Sequence, residues 1–163
     1  MDYAIRVATA ADAELLADTR VRQLLDEGGE PRFDTRADMI EYFRRTIPQG
    51  VYRAYIAEAD GELLSTAAVL LQEYPPSISW KGARRGYVTS VYTAPEYRGR
   101  GLASALLRRI IRDARELDLG NLWLLASREG KAVYKRLGFE DERPFKDVYM
   151  VWYERDGAQE GSL

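Results

Sequence analysis

"RGYVTSVYTAPEYRGRGLASALLRRI", Arg85 to Ile110, is the stretch on which the fold turns. Its opening, Arg85–Thr93, is rich in Val, Tyr and Thr and reads as a strand. From Leu102 the pattern changes. Leu102, Leu106, Leu107, Ile110, Ile111, Ala114 and Leu117 fall at helical spacing, while Arg108, Arg109, Arg112 and Arg115 lie largely outside that stripe. The spacing predicts a helix to about Leu117. Gly120-Asn121 turns the chain, and "LWLLA" (Leu122–Ala126) is a short apolar run of buried-strand type. Strand, helix and strand in that order require a parallel pair joined by a right-handed crossover.

Upstream, "YAIRVA" (Tyr3–Ala8) reads as a first strand. Thr9 caps a predicted helix over Ala10–Glu27, which Gly28-Gly29 stops. Thr35 caps a second helix through about Ile47, with Met39, Ile40, Phe43 and Ile47 on one face and Pro48 closing it. Two strands follow, Val51–Ala59 and Glu62–Tyr74, with Asp60-Gly61 between them as a hairpin signal. Pro75-Pro76 ends the second. Downstream, "REGKAVYKRL" predicts a last helix with Gly138 at its C′ position, and Val148–Tyr153 is the clearest closing strand. The expectation is an α/β (α+β) fold in one domain, residues 1–154, with a polar tail over 155–163. Its mixed, mostly antiparallel sheet should hold about six or seven strands flanked by about four helices.

Composition narrows the chemistry. The formal net charge is −2, which gives the chain no overall nucleic-acid footprint. "RGRG" and "RRIIRDAR" are basic, but Asp113 and Glu116 interrupt the second, and no nucleic-acid partner is expected. No apolar run reaches the ~18 residues of a membrane helix, and the start lacks a basic flank before an apolar core, so neither a membrane partner nor a signal peptide is expected. A cytoplasmic location follows as the default. There is no cysteine and no histidine. Disulfides, thiolate nucleophiles and an acyl-cysteine route are therefore excluded, and no metal site is expected. Chemistry must run on carboxylates, tyrosines, lysines, hydroxyls, backbone amides or water.

Gly99 and Gly101 let the backbone turn tightly and admit a ligand where a Cβ would intrude. The helix that begins at Leu102 leaves its first amides unpaired, and those amides with the helix dipole favour an anion. Arg98 and Arg100 add charged donors. The physical reading is a pyrophosphate cradle at the end of a strand. A P-loop requires Gly-Lys-Ser/Thr, which is absent, and the dinucleotide fingerprint fits poorly because Ser104 stands at its third glycine. A glycine-rich turn with solvated arginines is the remaining alternative.

A second constellation, "AVYKRLGFE" (Ala132–Glu140), places Tyr134 one turn before Gly138-Phe139. Taken alone, Tyr134 also reads as a core residue. Together, "VYTAPEYRGRGLASALL" and "AVYKRLGFE" closely resemble the GNAT superfamily of acyl-CoA-dependent N-acetyltransferases, most specifically from Arg85 to Glu140. The family's Gln/Arg-x-x-Gly-x-Gly/Ala motif is matched by Arg98-Gly99-Arg100-Gly101-Leu102-Ala103. The resemblance implies a GNAT-like fold with acetyl-CoA as co-substrate. It places the pantetheine arm along the backbone of Val91, Tyr92 and Thr93. It places the pyrophosphate on Arg98, Gly99, Arg100, Gly101, Leu102, Ala103 and Ser104. It makes Tyr134 the acid for the departing thiolate, a phenol of pKa near ~10 facing a thiol of pKa near ~8.5. An amine would attack the thioester directly, in a ternary complex, with strand amides opposite the developing oxyanion.

The chain departs from the family at two positions. Thr89 occupies the place of a glutamate base, and Ser127 replaces an asparagine, keeping a hydroxyl for the coenzyme or for capping the helix. Glu73, Glu30 and Asp147 are the candidate replacement bases, each also readable as a solvated acid; water or an amine of low pKa would need none of them. Asp26, Glu27, Glu30 and Asp34 could draw a cationic small-molecule or peptide amine, or be a polar helix end. Trp80, Tyr149 and Trp152 are candidate apolar walls. A non-catalytic acyl-CoA sensor is the alternative function, motivated by Thr89 and opposed by Tyr134. "VYMVWY" is apolar on both faces, which allows pairing across a homodimer.

Overall fold

The computed structural model describes residues 2–76, 78 and 82–141. Among the described residues five strands form one sheet in the order of the sequence: β1 (Ala4–Val7), β2 (Tyr52–Ala59), β3 (Glu62–Glu73), β4 (Arg84–Thr93) and β5 (Asn121–Trp123). Neighbours are antiparallel except β4 and β5, which run parallel. Among the described residues four helices accompany the sheet: α1 (Ala13–Asp26), α2 (Arg36–Thr46), α3 (Leu102–Glu116) and α4 (Lys131–Arg136). The expected Val148–Tyr153 strand, with Trp80, Asp147, Tyr149, Trp152 and the 155–163 tail, lies outside the described residues.

The hairpin between β2 and β3 forms where the sequence signals it. Asp60 and Gly61 both adopt positive φ, 51° and 79°, as a two-residue turn matched to strand twist requires. Ala10–Asp12 forms a separate 3-10 turn, so α1 starts later than expected. Asp12 is the reason. Its carboxylate accepts the Thr9 amide at 2.7 Å and clamps Arg6 of β1 at 2.8 Å, which fixes the chain before the helix begins.

The sheet carries a core on each side. Tyr52, Ala54 and Ile56 of β2 pack with Ala13, Leu16, Ala17 and Phe43 of α1 and α2. Tyr55 and Ala57 point the other way and join Leu102, Leu106, Leu107 and Ile110 of α3. This is the two-residue period of a central strand covered on both faces. The α3 stripe is buried much as its spacing predicts, at ~1.5–3 kcal/mol for each large aliphatic side chain. One member is charged. Asp113 is 2 % exposed and accepts from the Tyr55 hydroxyl at 2.7 Å, Arg53 at 2.9 Å and Arg109 at 3.1 Å.

Gly86 sets how closely β5 meets β4. A Cβ there would lie 2.6 Å from Leu122 Cδ2 and 2.8 Å from Val69 Cγ2. The parallel pairing is brief: Arg85, Gly86 and Tyr87 align with Asn121, Leu122 and Trp123. β5 is shorter than the Leu122–Ala126 run suggests, because the chain then leaves β4 for the turn before α4.

Candidate active site

β4 continues from Val88 to Thr93 past the last parallel pair, so the two strands part at Tyr87 and Trp123. A bulge marks the divergence. Thr89 pairs with Ala68 and Tyr92 with Thr66, leaving Ser90 and Val91 opposite Ala67 alone. Ser90 takes φ 51°, an uncommon conformation for a residue with a Cβ. It is held there: its hydroxyl receives the Tyr52 hydroxyl at 2.9 Å and its carbonyl the Thr66 hydroxyl at 3.2 Å. Burial of the Tyr52 ring pushes its pKa up to about 12, the Ser90 bond opposing this. Further along, the Ser65 hydroxyl donates to the Tyr92 carbonyl at 2.7 Å and approaches the Thr93 hydroxyl at 2.8 Å.

After Thr93, Pro95–Tyr97 makes a single 3-10 turn and the chain enters α3 through the glycines. Gly99 and Gly101 have φ of 75° and 81°, and a Cβ on either would meet nothing within 4 Å. Gly101 is the N-cap, and no side chain caps the helix. The Ala105 amide bonds the Gly101 carbonyl at 3.0 Å, so the amides of Leu102, Ala103 and Ser104 precede the first such bond. The first turn contains no acidic residue. Open space beside the glycines, uncapped amides and an acid-free first turn suit an anionic group, and a pyrophosphate meets that description.

Both arginines of the loop have partners within the chain. Arg98 spans two elements, its Nε donating to the Thr93 carbonyl at 3.0 Å and its NH2 to Asp26 of α1 at 2.7 Å. Arg100 turns back to the Glu96 carbonyl at 3.1 Å and lies over the Tyr97 ring. Exposed guanidiniums take the nearest acceptors when the chain around them offers some, and here the backbone presents the amides while the arginines brace the loop.

Tyr134 sits on α4, half-buried, with its ring edge-on to Phe139 at 5.8 Å. Gly130 makes room for it: a Cβ there would stand 3.2 Å from Tyr134 Cε2. Ser127 Oγ accepts the Gly130 amide at 3.1 Å, so this hydroxyl caps the turn into α4. Burial raises the Tyr134 pKa, with smaller contributions from the Glu27 charge and from Tyr87. The two groups stand at the end of α1 and at the last residue of β4 that pairs with β5. Proton transfer from a phenol at ~10 to a thiolate whose thiol titrates at ~8.5 is uphill by roughly 2 kcal/mol, and the raised pKa steepens it. Tyr134 is thus suited to donate a hydrogen bond to departing sulfur and to pass on a proton that it regains from elsewhere.

Of the candidate bases, Glu73 ends β3 opposite Arg84, at the β4 terminus remote from the glycines, and is exposed. Glu30 is exposed in the loop after α1. The acidic cluster is divided: Asp26 binds Arg98, Asp34 accepts the Arg36 amide at 3.3 Å, and Glu27 accepts the side-chain amide of Gln23 at 2.9 Å. Glu27 was legible only as a member of that cluster; that its charge bears on Tyr134 depends on how α1 packs on β4. Among the described residues no group of three or more acidic side chains is placed to hold a metal, and no helix is long and apolar enough to cross a membrane.

A model described as the acetyltransferase (GNAT) family matches residues 16–139. The chain is similar to a predicted acetyltransferase with acetyl-CoA from Clostridium acetobutylicum. The two are 34% identical with a TM-score of 0.84, over 91% of this chain and 96% of that one. A GCN5-related N-acetyltransferase from Ralstonia eutropha is 22% identical with a TM-score of 0.78, over 91% of this chain and 99% of that one; this likeness speaks to the fold alone. Among curated proteins, the chloroplastic GCN5-related N-acetyltransferase 2 of Arabidopsis thaliana is 36% identical over 66 residues, 40% of this chain and 25% of that protein. The chain thus matches about a quarter of the length of that curated relative.

Proposed function

The chain belongs to the GNAT family of acetyltransferases, and from that footing we propose that it moves the acetyl group of acetyl-CoA to a primary amine by direct attack in a ternary complex. One observation carries the reading: the uncapped amino end of α3, opened by Gly99 and Gly101, lies directly after the strand that parts from β5. Acetyl-CoA supplies an activated thioester and an anionic pyrophosphate handle. The amides of Leu102, Ala103 and Ser104 bind the pyrophosphate, with Arg98, Gly99, Arg100 and Gly101 forming the loop. The backbone of Val91, Tyr92 and Thr93 lines the extended arm, and Ser127 shapes the far wall through the turn it caps. Tyr134 hydrogen-bonds the departing sulfur. The acceptor side is formed by the end of α1 and the loop to α2, where carboxylates favour a cationic amine. The setting is cytoplasmic, and no metal or nucleic acid takes part.

The test is a thermal melt with acetyl-CoA, alongside Arg100→Glu. Ligand at ~100 times its dissociation constant adds about 2.7 kcal/mol, a rise of roughly 5–10 °C for a chain of this size. The rise should appear in the parent and be lost or much reduced in the variant, where a carboxylate faces the anion. No rise at saturating acetyl-CoA would overturn the coenzyme reading. A rise without thiol release for any amine would favour the acyl-CoA sensor, to which Thr89 lends support.

A further inference from the structure

We propose, on the footing of the acetyltransferase reading, that Tyr52 is a positioning residue: its hydroxyl, bonded to Ser90, holds the bulge that turns β4 away from β5 and so sets where the acetyl-CoA arm lies. The parallel pairing stops at Tyr87 and Trp123, and the bulge begins just beyond, at Thr89. A bulge bends its strand and tightens the local twist, which carries β4 off its neighbour at this point. Val91, Tyr92 and Thr93, the stretch proposed to line the arm, follow directly.

The bulge is held from outside its own strand. Among the described residues, Asp60, Ser90 and Asp118 are the non-glycine positions with positive φ. Asp60 and Asp118 stand in turns, where aspartate takes that conformation readily. Ser90 stands inside a strand at φ 51°, in a run of β-forming residues that favour negative φ. Such a residue persists only where its surroundings over-determine it. Three hydroxyls do so, from two other strands. Tyr52 of β2 donates to the Ser90 hydroxyl at 2.9 Å. Thr66 of β3 donates to the Ser90 carbonyl at 3.2 Å, and Ser65 of β3 to the Tyr92 carbonyl at 2.7 Å.

Tyr52 is the one of the three that reaches across a strand. It opens β2 and pairs with Leu70 of β3, yet its hydroxyl meets β4. Ala54 and Ala68, paired on the face it shares, are too small to bar the ring. The ring is 4 % exposed and wedged against Phe43 at 5.0 Å and Tyr42 at 5.9 Å, both of α2, which aims the hydroxyl at Ser90. Burial also keeps that hydroxyl protonated, so it stays a donor. Cutting this bond leaves the Ser90 φ to the Thr66 contact, with the Ser90 Cβ working against it. The course of β4 is thereby tied to how α2 packs on β2.

The experiment measures the acetyl-CoA dissociation constant calorimetrically for the parent, Tyr52→Phe, Ser90→Ala and the double variant Tyr52→Phe with Ser90→Gly, beside the urea midpoint of each. Phenylalanine keeps the ring packing and removes the bond. Alanine removes the acceptor and keeps the Cβ. Glycine takes positive φ without help. Tyr52→Phe and Ser90→Ala should each weaken acetyl-CoA binding by about 3- to 10-fold. Adding Ser90→Gly to Tyr52→Phe should return most of the lost affinity, although it restores no bond. A hydroxyl that served stability alone would lower the urea midpoint and leave affinity as it was. Unchanged affinity in Tyr52→Phe therefore overturns the inference, and so does a loss that glycine fails to recover; in both cases the coenzyme reading stands. A parent that does not bind acetyl-CoA overturns the coenzyme reading and the inference together.

Discussion

Tyr134 shows how a single side chain acquires a role from its surroundings. Its hydroxyl is kept neutral by burial, and the Glu27 carboxylate adds to the effect. In the role proposed for Tyr134 the protonated phenol is the working form, so the alkaline loss of activity assigned to it should fall above the ordinary tyrosine value of ~10. Tyr134→Phe should lower kcat by about 10²–10⁴-fold and leave acetyl-CoA affinity unchanged, read by steady-state kinetics beside calorimetric titration. An equal loss of affinity would mean that Tyr134 packs against the ligand without moving a proton. The residue stood out in the sequence because "YKRLGF" accompanies the glycine motif. Its neighbours did not, since Glu27 and Tyr87 reach it from other elements, and no local spacing records that meeting.

At the scale of an element, α3 is a helix whose beginning is left unfinished. Its free amides and acid-free first turn cost the unliganded protein some stability and keep the end available to an anion. Ser104→Asp should reverse both effects. An acidic residue in the first turn should stabilise the unliganded protein by about 0.3–1 kcal/mol and weaken the acetyl-CoA-induced rise in melting temperature. A variant that gained in both respects would show that the anion sits elsewhere. The helix and its strand were readable from periodicity, and the turn from its glycines. The length of β5 was not. "LWLLA" is apolar throughout, and its pairing ends at Trp123 because the strands diverge, a property of the sheet rather than of those residues.

The molecule as a whole is joined through a charge that its sequence conceals. Asp113 lies in the apolar stripe of an arginine-rich helix, and its partners Arg53 and Tyr55 stand on β2. Burial alone would raise its pKa, but the Tyr55 hydroxyl and the Arg109 and Arg53 guanidiniums outweigh that and hold it below the usual carboxylate range. A depressed carboxyl contributes stability that is present above its unfolded value of ~3.9 and is lost as pH falls through the folded value. Asp113→Ala should cost about 3 kcal/mol at neutral pH in urea unfolding, the low end for a broken buried pair because Arg53 and Arg109 stay about a third exposed. The gap between parent and variant should narrow in acid. A gap that persisted unchanged would mean that the loss came from packing and not from the charge. The apolar faces of α2 and α3 that build the two cores were legible from their helical spacing. This cross-link was not, because a lone aspartate among arginines reads as surface.

The start of α3 offers chiefly peptide groups, whereas the end of α1, with Gln23 and Glu27, offers side chains. These two halves answer to mutation differently. Exchanging one side chain for another leaves an amide where it was, provided that the glycines keep their positive φ and the helix keeps its stripe. On the proposed reading, the half that receives the donor can therefore pass through long sequence drift unaltered, while one nucleotide change in the other half can alter the choice of recipient. Divergence in a scaffold of this design gathers in its choice of recipient and spares its source.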